Sequence, residues 1–98
     1  MKSTQEYIDL LRTHAAELQT RFGTSYMRIF GSVARGEQRE DSDVDIFVEL
    51  PATMKEVCRA QLFLEKLLGC NVDLIRKHSN LSPYILNQVE KDGATIFE

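Results

Sequence analysis

The chain has 98 residues, a formal net charge of −3, 43% apolar and 28% charged residues, the balance of a single globular domain over residues 1–98. That composition excludes a disordered or fibrous chain, the acidic balance argues against gripping long nucleic acid as the main task, and no apolar run approaches the roughly 18 residues of a membrane span. The cysteines Cys58 and Cys70 have no metal-ligand spacing and read as buried free thiols, and the N-terminus lacks a signal peptide's apolar stretch, so a cytoplasmic protein is expected.

Ser3 and Glu6 have capping-box spacing, and Ile8, Leu11, Ala15, Leu18 and Phe22 then recur at helical intervals. They predict one amphipathic helix over residues 4–22, stopped by Gly23, with Arg12, Glu17 and Arg21 outside and His14 mid-helix as an ordinary flank residue. Residues 25–30 predict a short buried strand, and residues 33–37 one or two helical turns. The polar stretch 36–42 predicts a surface loop. Residues 43–50 form the clearest strand: Val44, Ile46, Val48 and Leu50 face one way, and Asp43, Asp45, Phe47 and Glu49 the other. Thr53 and Glu56 make a second candidate capping box for a helix over residues 54–68, with Val57, Gln61, Leu64 and Leu68 on its stripe and Gly69 after it. Residues 70–75 predict a strand. Ser82 and Pro83 start a last helix with Ile85, Leu86 and Val89 inward, Gly93 ends it, and residues 94–97 predict a terminal strand. The order implies an α/β (α+β) domain, a small mixed sheet of three to four strands packed by helices.

Three features carry chemistry. Gly31-Ser32 lies between a strand and a short helix, where glycine lets backbone approach a phosphate and serine adds a donor. Asp43 and Asp45 are two apart on a strand and so share a face, a place for a divalent cation that also takes phosphate oxygens and water. Asp73 lies in a separate apolar strand, where a carboxylate is costly without a partner. Taken singly, the pair is a turn, the two acids an exposed edge, and Asp73 a half-exposed position. If the strands are neighbours, the three acids and the turn form the layout of two-metal phosphoryl chemistry.

Gly31-Ser32, a ten-residue spacer, then Asp43-Val44-Asp45 resembles the signature of the polymerase-beta-type nucleotidyltransferase superfamily. The run Ala34-Arg35-Gly36-Glu37 and the Ser42 before the first acid resemble its small branch, the minimal nucleotidyltransferases, over nearly the whole chain. The resemblance implies a nucleotidyltransferase fold. It implies two Mg²⁺ ions, with Mn²⁺ as the alternative, held by Asp43, Asp45 and Asp73, the last also activating the acceptor hydroxyl. It implies that Gly31 and Ser32 contact the triphosphate and that Arg35 stabilises phosphate charge.

The branch further resembles the antitoxin half of toxin–antitoxin pairs, with a HEPN-domain RNase toxin as partner. It implies transfer of AMP from ATP to a tyrosine of the toxin, silencing it. Two other readings stay open: neutralisation by occlusion alone, and an enzyme acting on a small molecule or an RNA end. The chain leaves no room for a substrate-gripping second domain, so the acceptor and part of the pocket are expected from the partner. Arg76, Lys77 and His78 read as a solvated loop that could meet a triphosphate. Tyr84, Ile85, Ile96 and Phe97 are either interface or core.

Overall fold

The computed structural model describes residues 2–50, 54–78 and 80–98, with the side chain of residue 54 outside that set. Five helices and four strands follow in the order α1 (Thr4–Thr13), α2 (Ala15–Phe22), β1 (Tyr26–Phe30), α3 (Gly31–Ala34), β2 (Val44–Glu49), α4 (Met54–Leu68), β3 (Val72–Arg76), α5 (Pro83–Asp92) and β4 (Ala94–Phe97). The sheet order is β3-β2-β1-β4. β1 pairs antiparallel with β2 and β4, whereas β2 and β3 run parallel, joined through α4. The expected α/β class and small mixed sheet are therefore observed.

Alternation along the strands divides the core in two. Met27, Ile29, Val44, Ile46, Val48 and Val72 point to a large apolar cluster closed by Leu11 and Leu18 from α1 and α2 and by Leu64 and Leu68 from α4. The opposite face carries a smaller cluster, Phe30 and Phe47 against Val89 of α5. Tyr26 meets Phe47 edge-on at 6.2 Å. The sheet is thus sandwiched between α1, α2 and α4 on one side and α5 on the other.

The capping box at Ser3 and Glu6 is present in full, and Ser82 caps α5 by accepting from the Tyr84 amide at 3.2 Å. The capping box expected at Thr53 lies outside the described residues. The single helix expected over residues 4–22 is two. Thr13 Oγ1 donates to Asp9 O at 2.7 Å, and His14 Nδ1 sits 2.9 Å from Leu10 O. Such side-chain bonds to carbonyls one turn back compete with the helix ladder and bend it. His14, at φ −102 and ψ 13, is the joint between α1 and α2 rather than a mid-helix residue.

Neither cysteine is fully buried: Cys58 is exposed, Cys70 half-buried, and both are free. Cys58 follows Val57 by one position, which turns it about 100° away from the inward stripe of α4. The expected apolar surface at the C-terminal end divides as well. Ile96 is core at 6% exposure, whereas Tyr84 projects outward at 68%. No helix among the described residues is long and apolar enough to cross a membrane.

Candidate active site

Strand register brings the separate motifs together. In the parallel pair Asp45 lies opposite Asp73, and in the antiparallel pair Asp45 lies opposite Phe30, the residue before Gly31. The end of β1 and the starts of β2 and β3 therefore meet at one edge of the sheet, on the face that α5 covers in part.

Gly31 begins α3 at φ +75, a backbone region that side-chain-bearing residues adopt only under strain. A β-carbon there would overlap Asp45 Oδ2. The glycine thus turns the chain and leaves room for the carboxylate against its backbone. The helix begins at Gly31, two residues earlier than the sequence suggests, and is a single turn. Its end is a Schellman closure: the Gly36 amide donates to Val33 O at 3.1 Å and the Glu37 amide to Ser32 O at 2.9 Å, with Gly36 at φ +74. Thr4 Oγ1 donates to Val33 O at 2.5 Å, tying the turn to the start of α1.

The loop into β2 is organised by Ser42. Its Oγ accepts from the Arg39 amide at 2.8 Å while its own amide donates to Arg39 O at 3.0 Å. In the sequence Ser42 counted only as a motif match. Its physical role is to fix the approach of Asp43.

Asp45 is half-buried, and its pKa is raised from 3.8 to about 6. Burial is the largest cause, followed by the negative charge of Asp73, that of Asp43 and a hydrogen bond shared with Asp73, with Arg35 opposing. Asp43 and Asp73 are exposed. Among the described residues no three His, Cys, Asp or Glu side chains converge closely enough to hold a metal ion by themselves. The trio expected from the sequence is therefore a close pair, Asp45 and Asp73, with Asp43 acting from farther out. Hard carboxylate oxygens suit Mg²⁺, which takes one or two protein carboxylates and completes its shell with phosphate and water. The donor set fits that ion.

Arg35 does not stand free beside the turn. Its Nε donates to Glu37 at 3.1 Å and its Nη1 to Asp92 at 2.9 Å, and both acids raise its already high pKa. Arg76 and Lys77 belong to the other end of the strands, roughly 10 Å away at about 3.3 Å per residue. There Arg76 Nε donates to Leu50 O at 3.2 Å and Lys77 pairs with Glu49 at 2.9 Å. They fasten β3 to β2 and do not face the carboxylates.

A small mixed sheet with a glycine turn and paired carboxylates at one edge defines a nucleotidyl-transfer scaffold. The nucleotidyltransferase domain family matches residues 11–95, and the chain belongs to it: it is a nucleotidyltransferase of the minimal type. The protein adenylyltransferase MntA of Thermococcus cleftensis is 44% identical over 82 residues, 81% of this chain and 82% of that protein. A solved structure described provisionally as a minimal nucleotidyltransferase superposes with a TM-score of 0.77 at 36% identity, covering 95% of each chain. A mutant of an MntA toxin–antitoxin complex has a TM-score of 0.66 at 25% identity, over 97% of this chain and 72% of that one.

Proposed function

We propose that this chain transfers AMP from ATP to a tyrosine hydroxyl of a HEPN-domain toxin and so neutralises it. The observation that carries the reading is the Asp45 carboxylate set directly against the Gly31 backbone, with Asp73 opposite it on the neighbouring strand. It supports a site where phosphate, cation and acceptor oxygen meet. The relatives, one named a protein adenylyltransferase and one solved within a toxin–antitoxin complex, support a protein acceptor.

In this reading the backbone of Gly31 and the Ser32 hydroxyl hold the triphosphate, with the Arg35 guanidinium beside it. Asp43, Asp45 and Asp73 would hold Mg²⁺, which when bound neutralises charge on the phosphates and on the leaving group. The exposed Asp73 carboxylate takes the proton of the acceptor hydroxyl. That oxygen attacks the α-phosphorus in line, a new oxygen–phosphorus bond forms, the bond to the β-phosphate oxygen breaks, and pyrophosphate departs.

The test is incubation with α-labelled ATP, Mg²⁺ and the protein product of the adjacent reading frame. Label is expected on a tyrosine of that protein, and none with Asp45→Asn. Neutralisation that persists unchanged in the Asn variant, without label, would replace this reading with occlusion.

A further inference from the structure

The two acids that hold Arg35 are not equivalent. The Glu37 side chain is 64% exposed and lies in the loop after α3, whereas that of Asp92 is 18% exposed. An ion pair shielded from water keeps more of its attraction and restrains its partner more.

Asp92 is the last residue of α5, and a second arginine fixes its place. From β1, Arg28 Nε donates to Val89 O at 2.7 Å. Its Nη2 donates to Gly93 O at 2.8 Å and Glu90 O at 3.3 Å, and its Nη1 to Thr95 Oγ1 at 2.8 Å. A cation is well placed among the free carbonyls of a helix C-terminus. A β-carbon at Gly93 would overlap the Arg28 guanidinium, so the chain closes around it. One line of contacts thus runs from the sheet through Arg28 to the end of α5, from Asp92 to Arg35, and from Arg35 to the Gly31-Ser32 turn one helical turn earlier. The positive charge of Arg35 is felt at Asp45.

We infer that Asp92 is a positioning residue for nucleotide binding: it holds Arg35 where the guanidinium meets the triphosphate, and it acts only through Arg35. The inference rests on the phosphate-site reading above. On binding, phosphate oxygens replace the exposed Glu37 at Nε, while Asp92 keeps its hold on Nη1.

The test is calorimetric titration of the full chain with ATP and Mg²⁺, which needs no acceptor, alongside the thermal midpoint of each variant. Asp92→Asn is expected to weaken ATP binding roughly tenfold, about the worth of one charge-assisted hydrogen bond. Asp92→Glu should retain most of the affinity. In an Arg35→Ala background, Asp92→Asn should change nothing further. Should the Asn variant fail to fold, Asp92→Ser, which also removes the charge, takes its place in both backgrounds with the same expected loss. Affinity within twofold of wild type for Asp92→Asn overturns the inference, and so does a loss that persists undiminished without Arg35, because that marks a purely structural role for the end of α5. A wild-type chain that binds no nucleoside triphosphate brings down the phosphate-site reading together with this inference. Binding that survives Asp92→Asn brings down the inference alone.

Discussion

Asp45 is the residue on which the site turns, and its proton affinity makes a distinctive prediction. The folded chain binds that proton with a pKa of about 6 against 3.8 for an ordinary aspartate. The folded state therefore holds the proton more tightly than the unfolded chain. The sign is opposite to that of a salt-bridged carboxylate: this group's contribution to stability rises as pH falls from above about 6 toward about 4. In metal-free buffer, urea unfolding should show that rise, and Asp45→Asn should remove it while remaining at least as stable as wild type at pH 7.5. Saturating Mg²⁺ should flatten the wild-type profile, since a cation relieves the same repulsion. Transfer by Asp45→Asn should fall by a hundredfold or more, on the order of the loss when one charge-stabilising group is removed from an active site.

Gly31 offers a second test at this scale. Gly31→Ala places a β-carbon on Asp45 Oδ2 and leaves a side chain at φ +75. The backbone conformation alone should cost about 1 kcal/mol or more. Denaturation midpoints should fall and transfer should be lost together, unlike Asp45→Asn, in which only transfer is lost.

Among the elements, those whose pattern repeats are the ones legible in the sequence. β2 alternates Val44, Ile46 and Val48 against its acids, Leu50 follows in the same phase, and all four apolar residues are buried. α4 keeps its stripe, and Ser82-Pro83 starts α5 as expected. What periodicity does not carry is competition by single side chains. The break at His14 depends on hydroxyl and imidazole bonds to carbonyls one turn back, and helical spacing runs through it unbroken. The same holds in the site. Gly31, Ser32, Asp43 and Asp45 were legible from spacing, and Asp73 from an acid among apolar neighbours. Asp92 was not, because its partner Arg35 is distant in the chain and only the return of α5 across the sheet brings them together. From α4, Leu64, 1% exposed, packs beneath the sheet in the large apolar cluster. Leu64→Ala should cost about 2–5 kcal/mol, read as a lower denaturant midpoint with an unchanged slope.

At the scale of the whole molecule, the layers separate two surfaces. The carboxylates lie on the face shared with α5, and Asp43 and Asp73 are exposed. A groove of about 550 Å³ between α2 and α4, floored by Phe22 and Phe63 and rimmed by Arg21, Arg59 and Lys66, lies on the other side of the sheet. That groove is lined by none of the three carboxylates. A site with exposed acids suits an acceptor carried on a large partner surface that supplies the missing wall. Specificity would then reside in the fit between two proteins more than in a pocket for a base.

The central claim is that these carboxylates catalyse transfer to a partner protein, and intact-mass measurement of that partner tests it most directly. The product of the adjacent reading frame should be purified after co-expression with the wild type and with Asp45→Asn. Partner heavier by one or more adenylyl groups with the wild type, and of unmodified mass with the variant, is the predicted result. An unmodified partner that the wild-type chain nonetheless neutralises would contradict it.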